Sequence, residues 1–220
     1  MTVYMLRRLL RYFAIVAHAL SMQRSPAFPR NRGPIAEAMD AAGFDTCARI
    51  LELGCGPGEH AVDFAARWPS AVIQPTDCDP SSLASVDAYA ANAGCDRVLR
   101  AARVDVSERL WPAVEDRAYD GCYSINVIHI MPKSAIAPFF AGAGRALKPG
   151  GLLGLYDGWT FGGEYIGPTA DRFDASLRSQ GYGGLASIEE CDAAAAAAGL
   201  DRTDVRYLPA NNQFVVYTKR

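Results

Sequence analysis

The segment Ala48–Trp68, ARILELGCGPGEHAVDFAARW, constrains this chain more than any other. It reads as a buried strand, a turn carrying Gly54, Gly56 and Gly58, and an amphipathic helix. Such a unit must return to a parallel neighbour, so it predicts a sheet wrapped by helices. The glycines let the backbone turn sharply and let a ligand lie against bare peptide groups.

The remaining chain repeats that alternation. After a connector, SPAFPRNRGP, short apolar runs predict strands near Arg49–Leu53, Ala71–Thr76, Val98–Val104, Gly121–Ile125 and Leu152–Tyr156. Helices are expected near Pro34–Ala42, His60–Arg67, Ser81–Ala93, Ser134–Leu147 and Ile188–Ala198. In the tail, TDVRYL and QFVVYT flank the turn-forming PANN, which predicts an antiparallel hairpin closing a parallel sheet. The expected fold is α/β, doubly wound and mostly parallel. With 220 residues, half of them apolar, the chain suits one such domain over residues 25–220 and an extension over 1–24.

The glycine loop admits two classes of ligand. Dinucleotide enzymes use G-x-G-x-x-G/A to seat a pyrophosphate on a helix N-terminus. Here the last position of that pattern is Glu59, whose carboxylate repels a pyrophosphate. S-adenosyl-L-methionine carries no phosphate but has a sulfonium, an ammonium, a carboxylate and an adenosine, so Glu52 and Glu59 suit it. About twenty residues on, Asp77 ends the second expected strand, where a carboxylate can accept both ribose hydroxyls. Asp79 competes for that role, although its place before PSSL also fits a helix cap. Asp105 and Val106 follow the third strand and are candidates for meeting the adenine; a surface turn is the plainer alternative.

In order along the chain, ILELGCGPG, TDCDP, SINVIHIMP and LKPGGLLGLY resemble class I S-adenosylmethionine-dependent methyltransferases. SPAFPRNRGPI, GEHAVDFA, GAGRALKPGG, RFDASLR and YLPANNQFVVY are similar to the small family, catalogued as a domain of unknown function, that includes methyltransferase-like protein 26. The resemblance implies a Rossmann-like sheet of seven strands with the last antiparallel. It also implies Arg30 and Asn31 near the donor's carboxylate end, and it adds His60 and Asn126 to the donor site. Gly33 stands where relatives usually carry an acid. YDGW replaces their more usual glycine-proline turn, at the place where a substrate would sit.

Methyl transfer from a sulfonium is an in-line displacement, which depends on alignment and exclusion of water. A carboxylate or thiolate acceptor arrives ionised, whereas a hydroxyl or amine wants a base. His129, after the fourth strand, is the base candidate, with a loop-anchoring histidine as the alternative. Asn126 can hold donor or acceptor through its amide. Tyr156, Asp157 and Trp159 are expected to line the acceptor pocket. Arg172 and Arg178 could hold an acidic acceptor if their segment folds over the site, or could pair with Asp171 or Asp174 on a solvated helix face. Asp157–Gly184, rich in glycine and aromatics, suits a mobile lid. Asn211 and Asn212 make a turn or reach the pocket, the turn being favoured.

The expected activity is methyl transfer to a small molecule, with carboxylate or hydroxyl oxygen preferred over nitrogen or sulfur. A donor-binding interaction module without catalysis is the alternative. A net charge of −2 gives no field to gather nucleic acid, and no metal motif is evident. The six cysteines are scattered and read as reduced thiols, which points to the cytoplasm. Oligomeric state is open between monomer and homodimer. Before Ala36 the chain carries Arg7, Arg8, Arg11, Arg24, Arg30 and Arg32 and no acid. Leu6, Leu9, Leu10, Phe13, Ala17 and Leu20 share one helical face opposite the first arginines. This basic amphipathic helix is too short and charged to span a bilayer. A packing helix, an upstream extension and a targeting segment all fit it.

Overall fold

A computed structural model of the chain describes residues 22–220. The amphipathic helix expected before Met22 lies outside the described residues. Helix α1 (Phe28–Ala41) leads into strand β1 (Arg49–Leu53), then α2 (Glu59–Arg67), β2 (Val72–Asp77), α3 (Pro80–Ala93), β3 (Ala102–Arg103), β4 (Tyr119–Ile125), α4 (Ile136–Ala146) and β5 (Leu147–Asp157). A small region follows: β6 (Trp159–Phe161), β7 (Glu164–Tyr165), α5 (Ala170–Ser179) and β8 (Ala186–Ser187). Helix α6 (Ile188–Ala197) and the hairpin β9 (Leu200–Leu208) and β10 (Asn212–Lys219) complete the chain.

The main sheet has seven strands in the order β3-β2-β1-β4-β5-β10-β9. Strands β1 to β5 pair in parallel, while β10 runs antiparallel to both β5 and β9. The architecture is therefore the doubly wound, Rossmann-like sheet with an antiparallel C-terminal hairpin that the alternation predicts. Period-two alternation splits the core between the two faces. In β1, Leu51 and Leu53 pack with Phe139 and Phe140 of α4, whereas Ile50 packs with Ile35, Phe64 and Val86 of α1, α2 and α3. Phe64 is fully buried, stacked on Trp68 at 4.8 Å and edge-on to Tyr123 at 5.3 Å. Its burial contributes about 1.5–3 kcal/mol.

Three elements depart from expectation, β5 by starting at Leu147 rather than Leu152. Helix α1 starts at Phe28 rather than at Pro34, so PRNRG is helical and Pro34 lies inside the helix. Pro29 in the first turn suits a helix start, and buried Ile35, Ala36 and Met39 hold the helix to the sheet despite the bond Pro34 forgoes. The third strand shrinks to two residues plus a bridge between Ile73 and Val98. Side chains take its backbone groups instead: the Gln74 amide donates to the Arg100 carbonyl at 2.9 Å, and the Ala101 N–H donates to Asp87 at 2.8 Å. No helix among the described residues is long and apolar enough to cross a membrane.

Candidate active site

The strand order reverses between β1 and β4, because β1 connects outward to β2 while β4 lies on its other side. In such sheets the crevice beyond the carboxyl ends at that point is the natural ligand site. Two cavities open there and share Asn31 and Asn126 in their walls.

The first cavity, about 320 Å³, is built on the glycine loop. Gly54 and Gly58 hold φ of 72° and 93°. A Cβ on Gly58 would stand 2.3 Å from Val86, and one on Gly54 2.5 Å from Val127. A Cβ on Gly56 would meet nothing within 4 Å; this is the side on which a ligand can lie. Asp77 braces the loop: its carboxylate accepts the Gly56 N–H at 2.9 Å and the Asp79 N–H at 2.9 Å. Asp79 instead caps α3, accepting the Ser81 N–H at 3.0 Å. Glu59 accepts the Ser25 N–H at 2.7 Å and so ties the segment before α1 across the cavity.

Several buried polar atoms at this cavity lack a hydrogen-bond partner. Among the described residues they include Asn31 Oδ1, Glu52 Oε2 and His60 Nδ1, all from residues lining this cavity, and the hydroxyl of Tyr123. Glu52 is 2 % exposed. Burial pushes its pKa up to about 8; Tyr123 opposes that shift and Asp77 adds to it. His60, wedged between Phe28 and Phe64, has its pKa lowered by burial to about 4 and is neutral. Asp105 and Val106 do not line the cavity. Asp105 accepts from the backbone N–H and hydroxyl of Ser107 at 2.9 and 2.6 Å in a turn after β3, and Val106 packs on the core.

The second cavity, about 570 Å³, lies between α1, the ends of β4 and β5, α5 and the β9–β10 turn. Asn126 sits at the junction with φ of 59°, a left-handed conformation that asparagine tolerates, fixed by its N–H donating to the Tyr156 carbonyl at 2.9 Å. His129 lines this cavity at 8 % exposure. Its Nδ1 lies 2.5 Å from Asp157 Oδ1. Asp157 is itself held by the N–H groups of Ile128 at 2.9 Å, His129 at 3.4 Å and Gly158 at 2.8 Å. Burial acts to lower the His129 pKa, but the Asp157 charge and hydrogen bond outweigh it, and the net shift is upward.

Of the expected acceptor-pocket residues, Tyr156 lines the cavity and its hydroxyl accepts from Asn212 Nδ2 at 2.9 Å. Asp157, 1 % exposed, does not line it and stands behind His129. Trp159 belongs to the core. Arg178 pairs with Asp174 at 2.9 Å and, like Arg172, is absent from the cavity wall. The apolar stripe of α5 explains this: Ala170 and Leu177 pack inward, Phe173 faces the cavity, and the arginines fall off that face. Phe173, edge-on to His129 at 5.4 Å, was missed, although its three-residue spacing from Ala170 is visible in the sequence. Arg30 lines this second cavity rather than the glycine-loop one. Asn211 does both things expected of PANN, turning the hairpin at φ of 61° and lining the cavity. The Asp157–Gly184 segment is folded, as β6, β7 and α5, with β6 also pairing with β8 just beyond it, and caps the cavity through Thr169, Ala170 and Phe173.

The chain is similar over short stretches to curated methyltransferases. It is 41 % identical over 56 residues to the trans-aconitate 2-methyltransferase of Mycobacterium tuberculosis, 26 % of this chain and 21 % of that one. It is 31 % identical over 124 residues to the enzyme of the same description from Variovorax paradoxus, 56 % of this chain and 43 % of that one. The chain thus matches less than half the length of these relatives. Among solved structures, an O-methyltransferase family protein from Burkholderia thailandensis superposes with a TM-score of 0.72 at 16 % identity, over 88 % of this chain and 57 % of that one. PigF with SAH superposes with a TM-score of 0.67 at 19 % identity, over 84 % of this chain and 54 % of that one. The family model described as protein of unknown function (DUF938) matches residues 22–219. With this coverage and this sheet order, the chain belongs to the DUF938 family and has the class I methyltransferase fold.

Proposed function

We propose that this protein transfers a methyl group from S-adenosyl-L-methionine to an oxygen atom of a small molecule. The observation that carries the reading is the pair of cavities meeting at Asn31 and Asn126, one walled by the glycine loop and Asp77, the other ending at the His129–Asp157 pair. The first cavity suits the donor on its own chemistry. Its unpartnered Asn31 Oδ1 is an acceptor, and Glu52, largely protonated in the buried cavity at neutral pH, becomes a carboxylate when a neighbouring cation favours its ionised form; both fit an ammonium. The open side of Gly56 leaves room against the loop backbone, and Asp77 stands ready for a ribose.

When bound, the donor supplies an electrophilic methyl on a sulfonium. Asn31 and Asn126, shared by both cavities, align acceptor with donor, and α1, Phe173 and the β9–β10 turn exclude water. Asp157 holds the Nδ1–H tautomer of His129, which leaves Nε2 to take a proton from an acceptor hydroxyl. The methyltransferase relatives support the reaction class. A carboxylate acceptor, which needs no base, is the second reading, favoured by the trans-aconitate descriptions of those relatives.

Incubating the protein with donor labelled on its methyl group and a metabolite extract, and recording mass gains of one methyl, tests the proposal. Labelled oxygen ethers or esters are expected. Binding of S-adenosyl-L-homocysteine without any turnover would instead indicate a non-catalytic, donor-binding module.

A further inference from the structure

The second cavity has an unusual charge distribution for a chain with 24 acidic and 22 basic residues. Among the described residues no aspartate or glutamate lines it, whereas Arg30 and His129 do. Arginines elsewhere on the flanking helices are committed to carboxylates: Arg32 of α1 to Asp63, Arg67 of α2 to Asp40, Arg178 of α5 to Asp174. Arg30 has no carboxylate partner among the described residues. Asp157 lies near, but it is sealed behind the His129 ring and its own backbone donors.

Two helix N-termini add to this bias. Arg30 and Asn31 belong to the opening turns of α1, whose first turn carries no acid. Thr169 and Ala170 open α5 onto the same space, and the Thr169 side chain caps nothing. The one acid of that turn, Asp171, is not on the cavity wall. Aligned peptide dipoles favour negative charge at both ends. The rest of the wall is neutral, with Asn126, Asn211 and Asn212 as hydrogen-bonding amides and Phe173, Leu185 and Pro34 as apolar surface.

We infer that the methyl acceptor carries a carboxylate that Arg30 binds as a forked pair, placing its reacting oxygen at His129 across the cavity. This rests on the proposed methyl transfer and assigns Arg30 to the acceptor, not to the donor. A guanidinium matches a carboxylate with two parallel N–H donors, which a lysine cannot reproduce. The acceptor class is accordingly an organic acid with a second nucleophilic oxygen, either a hydroxyl or another carboxylate.

The test uses the full chain and a metabolite extract separated by anion exchange into acidic and neutral-plus-basic fractions. With labelled donor, wild-type protein is expected to methylate the acidic fraction. Arg30→Ala should raise KM for that substrate about 10- to 100-fold, and Arg30→Lys should recover only part of the loss. Both variants should bind S-adenosyl-L-homocysteine with wild-type affinity. Because Arg30 is exposed, neither substitution disturbs the core. Methylation confined to the neutral-plus-basic fraction, or an unchanged KM in Arg30→Ala, overturns the inference while leaving methyl transfer standing. Weakened S-adenosyl-L-homocysteine binding in both variants overturns it by returning Arg30 to the donor. Failure of wild-type protein to methylate either fraction removes the methyl-transfer reading itself, and the inference with it.

Discussion

Replacing Asp157 by asparagine removes one negative charge and keeps the shape, which makes it the sharpest probe of the pair. Each carboxylate oxygen has two donors: Oδ1 faces His129 Nδ1 at 2.5 Å and the Gly158 N–H at 2.8 Å, and Oδ2 faces the N–H groups of Ile128 and His129 at 2.9 and 3.4 Å. An amide nitrogen in the Oδ2 position meets two N–H donors head-on. In the Oδ1 position it meets Gly158 and forces Nδ1 of His129 to accept, so that Nε2 carries the proton and no longer serves as base. Either way, a buried polar contact is lost at about 1–3 kcal/mol per orphaned donor, and breaking a buried charge pair costs roughly 3–5 kcal/mol of stability. For a hydroxyl acceptor, kcat should fall about 10²- to 10⁴-fold, the range a positioned base supplies. The His129 pKa should also move. Burial pulls it down and Asp157 lifts it above 6.5, so without the charge burial wins and the ring titrates lower. The chain has three histidines, so imidazole NMR resolves this titration directly. In wild type, a raised folded pKa means that the pair stabilises the fold fully below the unfolded pKa, and that this contribution fades as pH rises through the folded one. Asp157→Asn should reverse that slope, because a folded pKa depressed by burial makes stability fall as pH drops below the unfolded pKa. An unchanged His129 titration and an unmoved acid limb of kcat in Asp157→Asn would refute the pair as an acid-base unit and leave it structural.

Three further outcomes follow from the donor cavity. Asp77→Ala should weaken S-adenosyl-L-homocysteine binding about 10- to 100-fold by calorimetry, since it removes a charge-assisted acceptor as well as the brace on Gly56; equal affinity would exclude Asp77 from the site. Gly58→Ala places a Cβ 2.3 Å from Val86 at φ of 93° and should lower stability by about 1–3 kcal/mol in denaturant titration, with no loss expected only if α3 is free to move. Glu52→Gln should flatten the pH dependence of stability: with a folded pKa near 8 against an ordinary 4.5, wild type loses stability as pH rises between those values, and a variant with the same slope would show that Glu52 is not its source.

The fold was largely legible because its signals are local. The strand, glycine turn and helix around Gly54–Gly58, the caps at Asp79 and the turn at PANN are all fixed by neighbours in the chain. The first cavity inherits that legibility, since Glu52, Gly56, Asp77 and His60 hang from those elements. What the sequence concealed is non-local. Arg30 and Asn31, which the family resemblance alone brings to the site, face the cavities because α1 accepts Pro34 in its interior, a placement that the local pattern does not show. Asp157 reads as a pocket residue by position, yet backbone N–H groups from Ile128 and His129 across the strand ends draw it inward. Arg172 and Arg178 are conspicuous as charges, but the Ala170, Phe173 and Leu177 stripe decides which face of α5 turns to the site.

The central claim concerns where the donor lies, and a crystal structure of the complex with S-adenosyl-L-homocysteine measures it directly. The ribose is predicted at Asp77, the amino acid moiety beside Glu52 and Asn31, and the sulfur between Asn31 and Asn126, pointing toward His129. An adenosine seated in the His129 cavity, or electron density for the ligand away from the Gly54–Gly58 loop, would contradict the account.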